Sequence, residues 1–378
     1  MSIRAPLLAP LFVALLLPGL ARAQMDPPAG FRDESPPQAR VEPLQSWDQA
    51  WKLKLSRGGS APLVWADSLV LVASLDRNLH LVAPADEPTV RYKKNFKGGF
   101  SAAPVVTPRR IYLPELEEGG RLIALDRATG ETAWTSNAGD LAASPVLDGS
   151  RIYTVSSLGV VAAWTDEGSE LWKTDLETRV TARPAKLGNV LVVAATDGRL
   201  FAIDTAGGGT VLDSTTPGAG PIWGDPVVLS GADNAGTATA VFATLDGQLL
   251  EVGADLAIVR QRSFPSRFYA GPTRSGQRLY LSGHAGAIWS YDWNADAIHW
   301  RLDLDNATLR MAPAVGDGHV AVGDLRGELV IVDRERGVVL WSMRLDGALT
   351  STPLFRGDDE LFVISEQGTL YAFRPAHP

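Results

Sequence analysis

The side chains able to do chemistry are few, and their spacing points to binding rather than catalysis. Five histidines stand at 80, 284, 299, 319 and 377, with no spacing that would gather them around a metal. The 378 residues contain no cysteine, so no thiolate can serve as nucleophile, metal ligand, lipid attachment point or disulfide. No serine sits in a nucleophile elbow. The Asp-Gly pairs at 148–149, 197–198 and 246–247 are turn chemistry rather than Ca²⁺ loops. More informative are arginines and aromatics gathered just ahead of a recurring proline: Phe100, Arg179, Arg183, Trp223, Arg267, Phe268, Tyr269, Leu309, Arg310 and Met311. Arginine and aromatic side chains are favoured at the centres of protein interfaces. With Leu176 and Asp225 from the same segments, the candidate partner-binding set is Leu176, Arg179, Arg183, Trp223, Asp225, Arg267, Phe268 and Arg310. No catalytic residue, metal or cofactor is expected. A competing reading pairs Arg179, Arg267 and Arg310 with nearby acids such as Asp225 and Glu177, and both readings stay open at this level.

The elements that must position these residues repeat. Prolines preceded by small residues stand at 62, 104, 145, 184, 226, 272, 313 and 353, about forty residues apart. After each come a short apolar strand, a turn, a second strand and a hairpin turn with glycine at 120, 159, 198, 247, 286, 327 or 368. In the first unit Arg77 takes the glycine's place, which predicts a looser turn there. A third strand follows, then an eleven-residue stretch whose best copy is 124–134, Ala-Leu-Asp-Arg-Ala-Thr-Gly-Glu-Thr-Ala-Trp. Asp126 and Thr129 can bond the turn backbone, and Gly130 can take the positive φ such a turn needs. The terminal aromatic recurs as Trp172, Trp300, Trp341 and Tyr92, while the fourth unit puts Leu212 in that slot.

Four short strands per unit, with no helical period, define a β-propeller blade. The expectation is an all-β, eight-bladed β-propeller of four-stranded antiparallel blades over residues 46–378. The eighth unit lacks a fourth strand, and the segment around Trp51 lacks the first three. Pairing the N-terminal strand with the C-terminal blade closes the ring and removes two sheet edges. Trp51, Trp134, Trp172, Trp300 and Trp341 are then structural docking residues that fill the wedge between fanning blades.

Residues 1–23 read as a signal peptide: Arg4, the apolar run from Leu7 to Leu17, and Ala21-Arg22-Ala23 before the cut. Residues 24–45, with Pro27, Pro28, Pro36, Pro37 and Pro43, read as a Pro-rich linker. The leader carries two arginines and no acid, so its removal takes the net charge from −8 to −10. That balance argues against nucleic acid, and no run is long enough for direct membrane insertion. The polar stretch 230–238 reads as a disordered insertion.

The turn and its terminal tryptophan resemble the tryptophan-docking motif of quinoprotein-type (PQQ-like) propellers, over about residues 47–373. The Gly-His and Trp-Asp pairs of WD-repeat blades are absent. Within that superfamily, size, export signal and end-to-end closure are similar to the BamB family, propeller components of the outer-membrane β-barrel assembly machinery. This resemblance implies a non-catalytic periplasmic scaffold, monomeric within a complex, whose partner is a β-barrel assembly component or an envelope protein. It also implies an interface on the loops entering the fourth and fifth units. There Leu176 and Arg179 match the family's Leu and Arg, while Thr178 replaces a second Leu. Pro221 and Trp223 stand at the family's Asp pair, with only Asp225 nearby. Two other readings are a PQQ-dependent dehydrogenase and a sugar- or peptide-binding propeller. The first would need axial Asp and Ca²⁺ ligands that no inner strand supplies. The second would stack ligands on Trp223, Trp289, Trp293 and Tyr269.

Overall fold

Apolar residues form short continuous runs such as Leu69–Ala73 and Leu200–Ile203, buried on both faces, and tight turns break those runs before they can lengthen. The result, in a computed structural model that describes residues 46–55, 59, 61–117, 119–229 and 237–376, is eight four-stranded antiparallel sheets. The expected leader, the Pro-rich segment and 230–236 of the insertion lie outside the described residues. Strands two and three of each blade are buried, and the outer fourth strand is largely exposed, as in Thr89–Asn95 and Val211–Thr215. No helix among the described residues is long and apolar enough to cross a membrane.

Closure is as expected. Trp47–Lys54 pairs antiparallel with Thr369–Pro375, giving the last sheet its fourth strand. The pairing extends past the strand ends, where Ala376 N–H donates to Ser46 C=O and Leu55 N–H to Gly368 C=O.

Two expectations about local structure are corrected. Arg77 adopts φ +70 and closes the same turn as its glycine counterparts: Ser74 N–H bonds Asn78 C=O as Ser156 N–H bonds Val160 C=O. The looser hairpin is in the second blade, where Glu115 N–H reaches Arg121 C=O two residues further on. Bidentate pairing of the buried Glu115 carboxylate with Arg121, at 2.6 and 2.8 Å, holds that longer turn. In the fourth blade the slot opposite Ala202 is filled by Asp213, the counterpart of Trp134 opposite Ala124. An extra turn residue shifts Leu212 into the bulge, 56% exposed.

The seams explain the docking residues. Trp134 Nε1–H donates to Asp166 C=O of the next blade at 2.8 Å, and Trp300 Nε1–H to Arg334 C=O at 2.8 Å. Each ring lies on the glycine of the neighbouring turn. A Cβ on Gly168 would stand 2.5 Å from the Trp134 ring, and one on Gly337 2.5 Å from Trp300. Tyr92 over Gly130 and Trp172 over Gly209 repeat the pairing. Trp341 packs on Phe373 across its seam, while Trp51 is buried against Phe362 of its own blade. Where the slot holds Asp213 or Arg260, no ring crosses the seam from it, and the next turn places Leu256 (φ +61) or Asp296 (φ +52) at the left-handed position. Leu256 is buried among Leu200, Phe242 and Leu250, filling the wedge from the other side.

Trp300, 2% exposed, is the most enclosed of the docking indoles. Trp300→Ala is expected to cost about 3–5 kcal/mol in urea unfolding, and Leu256→Ala about 2–5 kcal/mol. The half-exposed Trp134 should cost less than Trp300 when truncated. Equal losses at 134 and 300 would contradict the seam account.

Candidate protein-docking site

Counting back from each proline gives the rule that builds the site. Four residues before it stands a buried apolar anchor: Phe100, Leu141, Val180, Ile222, Phe268, Leu309 and Leu349 in seven successive loops. Backbone N–H groups of these anchors bond the hairpin of the blade just left, as Phe268 to Thr244 C=O (3.2 Å) and Leu309 to His284 C=O (3.2 Å). One position earlier, the carbonyl accepts from the hairpin tip of the blade being entered. Thr196 N–H bonds Arg179 C=O (2.8 Å) and His284 N–H bonds Arg267 C=O (2.9 Å). Six of these loops are thereby clamped to two hairpins, the loop entering the fifth blade is held to the hairpin it enters by Leu245 N–H to Pro221 C=O (2.8 Å), and the residues on either side of the anchor face the channel mouth on fixed backbone.

Those flanking residues are the candidates. Five before the proline stand Arg179 and Arg267, both exposed; three before it, on consecutive blades, stand Trp223, Tyr269 and Arg310. Gly224 and Gly271 lack the Cβ atoms that would drive the fifth and sixth loops apart, since each would fall on the other loop's backbone. That close approach brings the 40%-exposed Trp223 edge-on to Tyr269, ring centres 5.6 Å apart. Arg310 caps the other side, its guanidinium 4.8 Å from the Tyr269 ring. His284 lies 4.7 Å from the same ring. The fourth loop joins through Thr181 Oγ1–H to Trp223 C=O (3.1 Å) and Arg183 N–H to Asp225 Oδ1 (2.7 Å).

The structure gathers Arg179, Arg183, Trp223, Asp225, Arg267 and Arg310 around one mouth, but it buries two other candidates. Phe268 is 1% exposed because it is an anchor. Leu176 is 5% exposed, at a second anchor position eight before the proline shared with Phe96, Phe264 and Leu345. Both side chains hold their loops and present nothing to a partner. Tyr269 and His284, outside the candidate set, are the residues that link Trp223 to Arg310. Equal spacing from successive prolines was the signal for Tyr269. Trp289 and Trp293, at 0% and 3% exposure, are core residues and offer no stacking surface.

Charge sets this mouth apart. Most arginines elsewhere are paired, as Arg110 with Asp126 (2.8 Å) or Arg278 with Glu335 (2.9 Å). Among the described residues, Arg179, Arg183, Arg267 and Arg310 have no carboxylate within ion-pair distance, so the neighbouring acids do not neutralise them. Burial lowers the His284 pKa below its ordinary value, opposed by the contact with Leu309 C=O and assisted by the nearby Arg310 and Arg267. The site's positive charge thus belongs to its arginines. An NMR titration should place His284 below 6.5, and Arg310→Ala should move it upward; a wild-type midpoint at or above 6.5 would refute this electrostatic picture.

Ring of eight blades, aromatic-on-glycine seams and end-to-end closure define an eight-bladed propeller of the quinoprotein type. The family model described as "Outer membrane protein assembly factor BamB" matches residues 44–163, 118–256 and 284–377. The chain belongs to the BamB family. It is similar to the outer membrane protein assembly factor BamB of Burkholderia pseudomallei (strain K96243), 25% identical over 333 residues, covering 74% of this chain and 86% of the relative. The crystal structure of BamB from Moraxella catarrhalis superposes with a TM-score of 0.69 at 19% identity, covering 87% of this chain and all of that one. A europium-containing methanol dehydrogenase shares the fold, with TM-score 0.72 at 11% identity over 89% of this chain and 95% of its own.

Proposed function

We propose that this protein is a non-catalytic, periplasmic scaffold that assists outer membrane protein assembly by docking a protein component of that process at the channel mouth described above. Family membership supports the process, since the matched relatives are named outer membrane protein assembly factors. The single observation that carries the docking face is a set of arginines with no carboxylate partner among the described residues, beside an exposed tryptophan, on loops bonded to the hairpins they enter. A rigid surface loses little conformational freedom on binding, which favours association. The dehydrogenase reading draws no comparable support: among the described residues, no three His, Asp or Glu side chains are grouped to hold a metal. The proposed location rests on the leader-like residues 1–23 and on the family.

Affinity capture from the native periplasm tests this. The wild-type protein is expected to retain a component of the β-barrel assembly machinery, and Arg179→Glu to lose most of it with thermal melting unchanged. Capture by Arg179→Glu at the wild-type level would reject this mouth as the docking face.

A further inference from the structure

Resting on the docking reading above, we propose that the ledge made by Trp223, Tyr269 and Arg310, with Arg267 beside it, receives an extended acidic segment of a protein partner. This ledge lies on the loops entering the fifth, sixth and seventh blades, one blade onward from the loop that carries Arg179.

Three observations select that occupant. The first is charge: a chain of net charge −8 keeps exposed guanidinium groups at 267 and 310 with no carboxylate in ion-pair range among the described residues. Desolvating an unpaired arginine against an apolar or basic partner is unfavourable, whereas a carboxylate gives a charge-assisted hydrogen bond. The second is shape and chemistry. Trp223 and Tyr269 meet edge to face and Arg310 lies over the Tyr269 ring, so apolar area and positive charge adjoin on the ledge. An extended segment can meet both, with acids to the arginines and apolar groups to the rings. The third is rigidity. His284 is fixed by its N–H to Arg267 C=O and by its C=O from Leu309 N–H, which locks the two arginine-bearing loops at one separation. A peptide can therefore meet both guanidiniums without reorganising the loops.

The test uses the full chain and labelled synthetic peptides that alternate Glu with Val or Lys with Val, titrated by fluorescence anisotropy. The Glu peptide is expected to bind, to weaken as salt is raised, and to lose about tenfold in affinity with either Arg267→Glu or Arg310→Glu. Arg91→Glu, on the exposed outer strand of the first blade, should leave affinity unchanged, and all variants should melt as wild type does. The Lys peptide and vesicles of anionic lipid should not bind. Equal affinity for the two peptides, no binding of the Glu peptide, or binding of anionic vesicles through the same arginines would overturn the proposal. The periplasmic capture is run in parallel on the same variants. Loss of capture with Arg179→Glu but not with Arg267→Glu or Arg310→Glu rejects the acidic ledge and leaves the docking function standing. Capture unchanged in all three rejects the docking mouth as a whole.

Discussion

Wedges must be filled. Blades that share a narrow axis diverge outward, and a gap left between outer strands would forfeit dispersion contacts along its whole length. This chain fills four of those gaps with an indole or phenol resting on the α-carbon of a glycine in the next blade. Ring and glycine form one unit, since the ring needs a bare backbone and the turn needs a positive φ. Two of the remaining seams are informative. After Asp213 and Arg260, where no ring crosses the seam, Leu256 and Asp296 occupy the left-handed position. A non-glycine there carries a modest strain, and Leu256 offsets it by burying its own side chain in the vacant wedge. At the next seam a different device appears. The fully buried Glu251 accepts from Trp293 Nε1–H at 3.0 Å and from Thr239 Oγ1–H at 2.7 Å, while Arg260 covers the Trp293 ring at 4.9 Å. A buried carboxylate is tolerated because those donors replace its water.

Because the seams fix how blades sit, the loops between them inherit that precision. Six loops are bonded to the hairpins on both of their sides, and the last sheet is completed by the first strand, so the blades are tied to one another around the ring. An edge left open at either end would have exposed unpaired backbone groups over several residues. What remains accessible at the mouth is set by position in the repeat. Anchors point in, and their neighbours point out.

Much of this was legible in the residues. Strand count, ring closure and the structural role of the tryptophans followed from prolines, glycines and aromatics whose conformational demands are local. The errors came where one residue changes a register or a direction. An extra residue before Gly209 moved Asp213, not Leu212, into the docking slot, because a bulge absorbs one residue without altering the apolar pattern around it. Arg77 imitated glycine because its hairpin bonds hold φ at +70. Phe268 and Leu176 were grouped with their exposed neighbours, although the periodic anchors at the same offsets were already readable. Proximity among Trp223, Tyr269 and Arg310 was not readable, since it depends on Gly224 and Gly271 letting two backbones touch.

The separation of anchor from neighbour has a consequence for how such a surface can change. Substituting Phe268 or Ile222 would disturb a core, whereas Trp223 and Arg310 meet Tyr269 outside the core clusters. Seam and mouth are therefore nearly independent in energy: the residues that close the ring lie in the outer strands and turns, and the residues that meet a partner stand beside the axis. Distant sites of this kind act almost additively. That is why Pro221 and Trp223 can stand on the loop entering the fifth blade without disturbing the closed ring. A scaffold built this way holds its geometry constant and lets the chemistry at the mouth be rewritten one blade at a time.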